Sequence, residues 1–387
     1  MIAILALMLA CLFLAPQPAV AAKATTAPVK TSAKRAVPAR TAPAKSARAN
    51  PRRRVVRPAY NPWKEPTYAD STEGDNIDGD DLVVRRAAVE ALGPLNGSVA
   101  VVDGDTGRVL TVVNQKLAYK PGFTPCSTIK VFVGLGGLNE ELIERGTMVR
   151  ISRKVEYNLT EALARSDNSY FALLGQRLGF DRVSYYARLF GLGEKAAVDL
   201  EGERHGTLPK SPPANGGVGM MSSFGEGIRL TPLQLAAAMA TISNGGTLYS
   251  LQYPQSQEEV DRFVPRVKRK LDLAAVVPEI KHGLAAAVEH GTARRASWSQ
   301  EVPILGKTGT CTDQWSPTHL GWFGSFNDSP SNRIAVAVLL TGGRPINGPV
   351  ASDVAGKVYR ALTAEGYFKR DRTTSPVALI HPRPCCL

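Results

Sequence analysis

The pattern of apolar and polar positions divides the chain into an unpatterned N-terminal part and a patterned remainder. Residues 22 to about 59 show no apolar periodicity, whereas Leu82–Leu92 carries apolar residues at helical spacing. Two β-rich runs follow, Gly97–Val102 and Val109–Asn114, and the polar, glycine-containing segment between them is typical of a hairpin turn. The patterned part is therefore predicted to begin with a helix and a β-hairpin.

The rest of the pattern places helices between two groups of strands. Residues 124 to about 290 are predicted to be mostly helical, and residues 303 to 341 to return to strands. The predicted strands and the final helix are Val302–Leu305, Leu320–Phe326, Ile334–Leu340 and Ala351–Ala364. Because strands lie at both ends, we expect one antiparallel sheet flanked by helices, an α/β fold of the α+β type with an inserted all-helical subdomain.

Charge is concentrated at the N-terminus. Of the 47 Lys and Arg residues, 11 lie in residues 1–60, which contain no Asp or Glu. The remainder carries 36 Lys and Arg against 34 Asp and Glu, so the formal net charge of +13 belongs mainly to the N-terminal part. A basic groove for nucleic acid is therefore not predicted in the folded part.

The N-terminal residues have the pattern of an export signal. In residues 1–21, the apolar run Ile2–Leu14 is followed by an A-x-A cleavage triplet, which predicts a signal peptide and export to the periplasm or cell envelope. An uncleaved membrane anchor and lipidation at Cys11 are the alternatives. Residues 22–80 are predicted to be a disordered, basic, Ala/Pro-rich linker with an acidic, solvated end, able to approach anionic lipid or wall polymer.

These limits leave residues 81–366 for the folded domain and residues 367–387 for a C-terminal tail. The tail contains Cys385, Cys386 and His381, which are too few to predict a metal site. No cofactor or metal is predicted elsewhere in the chain.

Three polar motifs occur in one order along the domain. They are Ser127-Thr128-Ile129-Lys130, Ser166-Asp167-Asn168 and Lys307-Thr308-Gly309-Thr310. Serine is a weak nucleophile unless a base is held beside it, and residues three apart lie on one face of a helix. Lys130 is therefore expected to reach the Ser127 hydroxyl, with its charged form disfavoured by the helix N-terminus and nearby cations. Each motif alone is common, and only the ordered set is specific.

Together the motifs resemble the signature set of serine acyltransferases that react with penicillin. The stretch from Gly225 to Ala236, followed by Asn244-Gly245-Gly246, closely resembles penicillin-binding transpeptidases, although Glu226 stands where that family usually has Gln. The run His319–Phe326 is similar to the strand after the family's Lys-Thr-Gly motif. The resemblance covers roughly residues 82 to 366 and implies a penicilloyl serine transferase fold with a five-stranded sheet.

By this resemblance the protein is a serine D,D-transpeptidase that acts on the D-Ala-D-Ala end of peptidoglycan stem peptides in cell-wall synthesis. Ser127 is then the nucleophile, Lys130 its base, Ser166 a proton relay to the leaving D-alanine, and Asn168 a ligand of the substrate backbone. The residues implied to hold the terminal carboxylate are Lys307, Thr308 and Thr310, with Gly309 allowing close backbone approach. The implied oxyanion hole consists of the Ser127 and Thr310 N–H groups, and β-lactams are expected to trap the acyl-enzyme.

A disulfide is expected between Cys126 and Cys311, which flank the first and third motifs. The nucleophile helix and the Lys-Thr-Gly strand must face each other across such a site, and an oxidising compartment permits the bond. A similar arrangement occurs in some class A carbapenem-hydrolysing β-lactamases. Two reduced, buried cysteines are the alternative.

Three other functions compete with transpeptidation. A β-lactamase needs a device for rapid deacylation, and neither the class A pattern, sought around Glu201–Gly206, nor the class D pattern is present. Acyl transfer to water would give a D,D-carboxypeptidase, and loss of catalysis would give a β-lactam-sensing module. Since the residues before the domain leave no room for a glycosyltransferase, we expect a glycan-polymerising partner.

Overall fold

A computed structural model of the protein describes residues 62–198, 200–297, 301–330 and 332–369. The strands in chain order are β1 (Gly97–Asp103), β2 (Val109–Val113), β3 (Val149–Ser152), β4 (Val155–Tyr157), β5 (Thr247–Ser250), β6 (Arg266–Lys270), β7 (Ile304–Thr312), β8 (His319–Asn327) and β9 (Ile334–Gly342). The helices are α1 (Leu82–Leu92), α2 (Gln115–Ala118), α3 (Lys130–Asn139), α4 (Leu159–Arg165), α5 (Asn168–Leu189), α6 (Gly217–Phe224), α7 (Pro232–Ser243), α8 (Gln257–Asp261), α9 (Val277–Glu289) and α10 (Gly348–Ala364).

The principal sheet has five antiparallel strands in the spatial order β2-β1-β9-β8-β7. The N-terminal hairpin meets the C-terminal strands where Gly97 pairs with Leu340 and Asp103 pairs with Ile334. This arrangement confirms the predicted mixed fold, in which strands from both ends of the chain form one sheet. Strand β7, which carries the Lys-Thr-Gly motif, lies at the edge of the sheet.

Both faces of the sheet are covered, which explains why its strands read as continuous apolar runs. On β1, Val99 and Val101 pack with residues of α1 and α10, whereas Ala100 and Val102 pack on the other side in the core that contains α7. The alternation follows the two-residue period of a strand. The sheet is therefore a fixed platform from which β7 faces the helices of the inserted region.

The ends of the helices follow local side-chain chemistry. The carboxylate of Asp81 accepts hydrogen bonds from the N–H groups of Val83 (3.1 Å) and Val84 (3.2 Å), so α1 begins and ends at the predicted residues. Helix α10 starts three residues earlier than predicted, because Asn347 caps it by accepting from Val350 N at 3.0 Å.

The inserted region also contains two short hairpins, β3–β4 and β5–β6, in a segment that we expected to be helical. Strand β6 has charged residues at four of its five positions, so no apolar alternation marks it in the sequence. The prediction of an all-helical subdomain is corrected to this extent.

Residues 62–80, assigned from the sequence to the linker, pack against the domain. Tyr68 forms a β-bridge with Leu95, and Asp75 makes a buried ion pair with Arg85 at 2.7 Å. The Asp75 carboxylate also accepts from the Gln115 N–H at 2.8 Å. Part of the acidic stretch is therefore buried rather than solvated, because its charge is neutralised by a buried arginine and by backbone donors.

Several expectations concern residues outside the described ranges. These are the signal peptide at residues 1–21, the linker as far as residue 61 and the tail from residue 370. Among the helices of the described residues, none has the length and apolar character needed to span a bilayer.

Candidate active site

Ser127 lies on a 3₁₀ turn, Cys126–Ile129, that leads directly into α3. The Thr128 hydroxyl donates to the Pro125 carbonyl oxygen at 2.7 Å. The backbone N–H of Lys130 donates to the backbone carbonyl oxygen of Ser127, and these two hydrogen bonds close the turn. Cys126 has a φ of 52°, an unusual conformation for a residue with a side chain. The nucleophile candidate is therefore held at a sharp entry to a buried helix.

Two residues far along the chain fix the segment that precedes this turn. The Asp313 carboxylate accepts from Thr124 N (3.0 Å) and Thr124 Oγ1 (2.9 Å), and Trp322 Nε1 donates to the Thr124 oxygen at 2.9 Å. All three side chains are buried. The end of β7 and strand β8 thus position the approach to Ser127.

Lys130 is fully buried, and its side-chain nitrogen points to the second motif. Its Nζ lies 2.6 Å from the Ser166 carbonyl oxygen, 2.6 Å from Asn168 Oδ1 and 3.3 Å from Ser166 Oγ. Within the described residues, no hydrogen bond joins Lys130 Nζ to Ser127 Oγ. The structure thus brings Lys130, Ser166 and Asn168 together, while the expected Ser127–Lys130 side-chain bond is absent from it.

The pKa of Lys130 is lowered to about 7, mainly because burial disfavours the charged amine, and the nearby carboxylate of Asp167 opposes the shift. Burial therefore replaces the helix N-terminus and nearby cations as the principal cause. A neutral amine retains two N–H groups, which suit the two acceptors at 2.6 Å, and its lone pair remains available for a hydroxyl proton.

The Ser166-Asp167-Asn168 motif forms the turn between α4 and α5. Ser166 ends α4 in the left-handed conformation with a φ of 58°, and Asp167 caps α5 by accepting from the Tyr170 N–H at 2.7 Å. Asp167 is therefore the N-cap of α5. The same turn directs Ser166 and Asn168 toward Lys130.

The third motif lies on the edge strand β7 with contrasting exposure along its length. Lys307 is fully buried and donates to the Thr308 carbonyl oxygen at 3.1 Å. Burial lowers the pKa of Lys307 well below its ordinary value, and the neighbouring Lys130 lowers it further. The Thr308 hydroxyl lies 2.6 Å from that of Thr292, and Thr310 Oγ1 accepts from Gly348 N at 2.7 Å.

A disulfide joins Cys126 to Cys311, as predicted, with their Cα atoms 5.6 Å apart. It connects the nucleophile turn to β7 next to Thr310. Gly309 lies against the same turn, since a Cβ added there would be 3.0 Å from the Pro125 oxygen and 3.2 Å from Cys126 Cβ. The first and third motifs are therefore in close contact across the disulfide.

A cleft of about 770 Å³ opens above these elements. Five of the residues singled out from the sequence line it, namely Ser127, Ser166, Asn168, Thr308 and Thr310. Lys130 and Lys307 lie beneath, fully buried. The cleft therefore combines a serine hydroxyl, an amine of lowered pKa, a second hydroxyl and an amide with the two threonine hydroxyls.

Sequence reasoning did not single out Thr292, Arg294 and Arg295, which also line the cleft, or Asp313, which supports Ser127. Only their position near the third motif could have indicated a role in the site. Thr292, Arg294 and Arg295 precede that motif by 12 to 15 residues, and Asp313 follows it by three. No local pattern distinguishes these residues from ordinary surface residues.

A family model described as the penicillin binding protein transpeptidase domain matches residues 97–363, which contain all three motifs. The chain belongs to this family. The matched segment begins with β1 and ends within α10, so the whole five-stranded sheet of the transpeptidase domain is present.

Two curated proteins are similar to this chain in amino-acid sequence. Stage V sporulation protein D of Bacillus subtilis is 27% identical over 281 residues, covering 65% of this chain and 43% of the relative. Peptidoglycan D,D-transpeptidase FtsI of Escherichia coli is 24% identical over 314 residues, covering 70% and 52% respectively. The chain thus spans about half the length of these two curated relatives.

The fold has a solved counterpart in the D,D-transpeptidase domain of a peptidoglycan glycosyltransferase from Eggerthella lenta. The superposition gives a TM-score of 0.57 at 17% identity and covers 74% of this chain and 82% of that one. At this identity the similarity concerns the fold alone.

Proposed function

We propose that the protein is a serine D,D-transpeptidase that acts on the D-Ala-D-Ala end of peptidoglycan stem peptides and is acylated by β-lactams. The observation that carries the proposal is the convergence of Ser127 and Ser166 in one cleft beside the Thr308–Thr310 edge of β7, with the Lys130 amine buried beneath them. The name of one relative, peptidoglycan D,D-transpeptidase FtsI, supports the same reaction class.

In the acylation step, Ser127 Oγ attacks the carbonyl carbon of the penultimate D-alanine. The neutral amine of Lys130 takes the hydroxyl proton, which its lowered pKa permits near neutral pH. The Ser166 hydroxyl gives its proton to the leaving nitrogen as the C–N bond breaks and takes one from the Lys130 ammonium, whose Nζ lies 3.3 Å from Ser166 Oγ. Asn168 holds the substrate backbone, and the N–H groups of Ser127 and Thr310 stabilise the oxyanion.

In the second step, an amine of a neighbouring stem peptide attacks the ester carbonyl. A C–N bond forms, the bond to Ser127 Oγ breaks, and the proton that the attacking amine loses passes through Lys130 to that oxygen. In the first step, before the terminal D-alanine leaves, its carboxylate lies at Thr308 and Thr310 above Lys307. Attack by water in place of the amine would give carboxypeptidase activity.

The composition of the cleft favours transpeptidation over β-lactam hydrolysis. No Asp or Glu is among the cleft-lining residues of the described ranges, so none of these residues offers a carboxylate base beside the ester to activate water. The acyl-enzyme formed with a β-lactam is therefore expected to be long-lived. The complete set of catalytic groups argues against a non-catalytic sensing module.

For the compartment and the partners, the proposal depends on the N-terminal sequence alone. Export by residues 1–21 to the periplasm or envelope, contact of the basic linker with anionic lipid or wall polymer, and a glycan-polymerising partner remain predictions. The disulfide within the described residues is consistent with export to an oxidising compartment.

A thioester substrate tests the reaction directly, because replacement of the scissile nitrogen by sulfur makes the leaving group visible as a thiol. The full-length protein is incubated with an acyl-D-alanyl thioester, with and without D-alanine as acceptor amine. We expect thiol release that depends on Ser127, and a product whose mass includes the acceptor. Thiol release with only the hydrolysed acid would indicate a carboxypeptidase, and no release would contradict the proposal.

A further inference from the structure

The mouth of the cleft carries cationic side chains from two separate segments. Arg165 extends from the end of α4, and Arg294 and Arg295 extend from a 3₁₀ turn, Arg294–Ala296, that follows α9. Arg165 is already paired with Glu161 at 3.0 Å. Arg294 and Arg295 are exposed and form no ion pair within the described residues.

The turn that presents these two arginines is firmly anchored. Thr292 N donates to the Ala164 oxygen at 3.0 Å, and Arg360 Nη1 donates to the Ala296 oxygen at 3.1 Å. On the other side, α10 packs so closely that a Cβ at Gly356 would lie 2.4 Å from the Ala296 oxygen. The backbone of the two arginines is therefore held in place before any ligand arrives.

The same turn is joined to the third motif. The hydroxyl oxygens of Thr292 and Thr308 lie 2.6 Å apart, so the arginines lie two and three residues after a residue in contact with the Lys-Thr-Gly strand. Both arginines line the cleft together with Thr308 and Thr310. The threonine hydroxyls and the two arginines therefore face one cleft.

Lys307, the cation expected from the sequence to hold a carboxylate, is placed differently. It is fully buried, it does not line the cleft, and its Nζ donates to the backbone oxygen of Thr308. In this position Lys307 stabilises the backbone of β7 beneath the two threonines. Among the described residues that line the cleft, Arg294 and Arg295 are exposed cations without an ion pair, whereas Arg165 is paired with Glu161.

We propose that Arg294 and Arg295 bind the terminal carboxylate of the substrate, and of a β-lactam, together with the hydroxyls of Thr308 and Thr310. Guanidinium groups suit this role because they stay protonated and match the geometry of a carboxylate. The inference rests on the proposed function, since it assigns the carboxylate contact of the same cleft.

The test compares two acylating probes that differ only in the carboxylate, benzylpenicillin and its methyl ester. The second-order rate of adduct formation is measured by intact mass for each probe, and the acid-to-ester ratio is the readout. The variants are Arg294→Gln, Arg295→Gln and both together. The matched control is Arg188→Gln, an exposed arginine at the far end of α5 from Asn168.

We expect the double variant to lower the acid-to-ester ratio about 30-fold or more, with the ester rate changed less than about 3-fold. A further variant that combines Arg294→Lys with Arg295→Lys keeps both charges and should retain most of the ratio, and Arg188→Gln should retain all of it. A ratio unchanged in the double Gln variant, or equal slowing of both probes, would overturn the inference.

Salt dependence of the unaltered protein gives a second readout that does not depend on any variant folding. Raising salt from about 0.05 M to about 0.5 M should slow acylation by the acid several-fold and leave the ester rate nearly constant, because screening weakens the attraction between exposed charges. Equal responses of acid and ester would contradict the inference. Absence of an adduct with either probe would instead contradict the proposed function.

Discussion

The side-chain nitrogen of Lys130 lies 2.6 Å from the backbone oxygen of Ser166, and this contact joins the helix after the nucleophile to the turn between α4 and α5. The second contact of that nitrogen, with Asn168 Oδ1, strengthens the connection. In the proposed mechanism, this buried amine exchanges a proton with the hydroxyls of Ser127 and Ser166. Its protonation state is therefore the first property to test.

The acylation rate should depend on pH through Lys130. The pKa of its amine is lowered to about 7, with Asp167 opposing the shift, and the base is the neutral form. The neutral fraction rises as pH increases, so acylation should rise through a midpoint near 7 and fall about tenfold for each pH unit below it. The rate of fluorescent penicillin binding between mildly acidic and mildly basic pH measures this profile.

Replacement of the amine by a guanidinium should remove the base, because the guanidinium stays positively charged. Arg is not deprotonated in this range, so Lys130→Arg should lower acylation by about 10²–10⁴-fold. Lys154→Arg, at an exposed lysine, is the matched control and should leave the rate unchanged. A Lys130→Arg rate within a few-fold of the unaltered protein would rule out this base.

The disulfide should contribute strongly to stability. Cys126 and Cys311 are 185 residues apart, and the chain-entropy model gives at most about 5 kcal/mol for a loop of this length. Reduction, or replacement of both cysteines by alanine, should lower the melting temperature by about 5 °C or more. In the double variant, reductant should have no further effect. An unaltered protein that melts at the same temperature with and without reductant would contradict this expectation.

Asp313 should matter for folding and for the position of the nucleophile. Its buried carboxylate accepts from both Thr124 N and Thr124 Oγ1, so Asp313→Ala leaves these donors without a partner. We expect the free energy of unfolding to fall by about 2–4 kcal/mol, and acylation to slow. Asp313→Asn keeps an acceptor oxygen and should lose less in denaturant titrations. Equal losses in the two variants would argue against the hydrogen-bond role.

Gly309 should not tolerate a side chain. A Cβ there would lie 3.0 Å from the Pro125 oxygen and 3.2 Å from Trp322 Cβ, so β7 would have to move away from the nucleophile turn. Gly309→Ala should cost about 1–3 kcal/mol of stability and slow acylation about tenfold or more. Gly146→Ala, where an added Cβ meets nothing within 4 Å, is the control. Normal acylation by Gly309→Ala would show that this packing is not needed.

The sequence predicted those features that depend on residues close together in the chain. The bounds of α1 follow from apolar spacing and the Asp81 cap, and the N-terminal hairpin follows from the turn residues between β1 and β2. Residues of the three motifs were recognised as an ordered set, and five of them line one cleft. The Cys126–Cys311 disulfide was expected because the first and third motifs had to face each other.

Contacts between distant residues were not predictable in the same way. Asp313 and Thr124 are 189 residues apart, and no periodicity relates them. The direction of the Lys130 side chain depends on where α4 and α5 meet, which local spacing does not specify. No local pattern in the sequence marks Arg294 and Arg295, and the fold places them at the cleft near the Thr292–Thr308 contact.

The central claim is that Ser127 is the nucleophile, and peptide mapping of the β-lactam adduct tests it most directly. The protein is incubated with benzylpenicillin, digested, and the modified peptide is identified by tandem mass spectrometry. The account predicts one stable penicilloyl group on Ser127, absent in Ser127→Ala and retained in Ser211→Ala, which alters an exposed serine. An adduct on another residue, or an adduct that persists in Ser127→Ala, would contradict it.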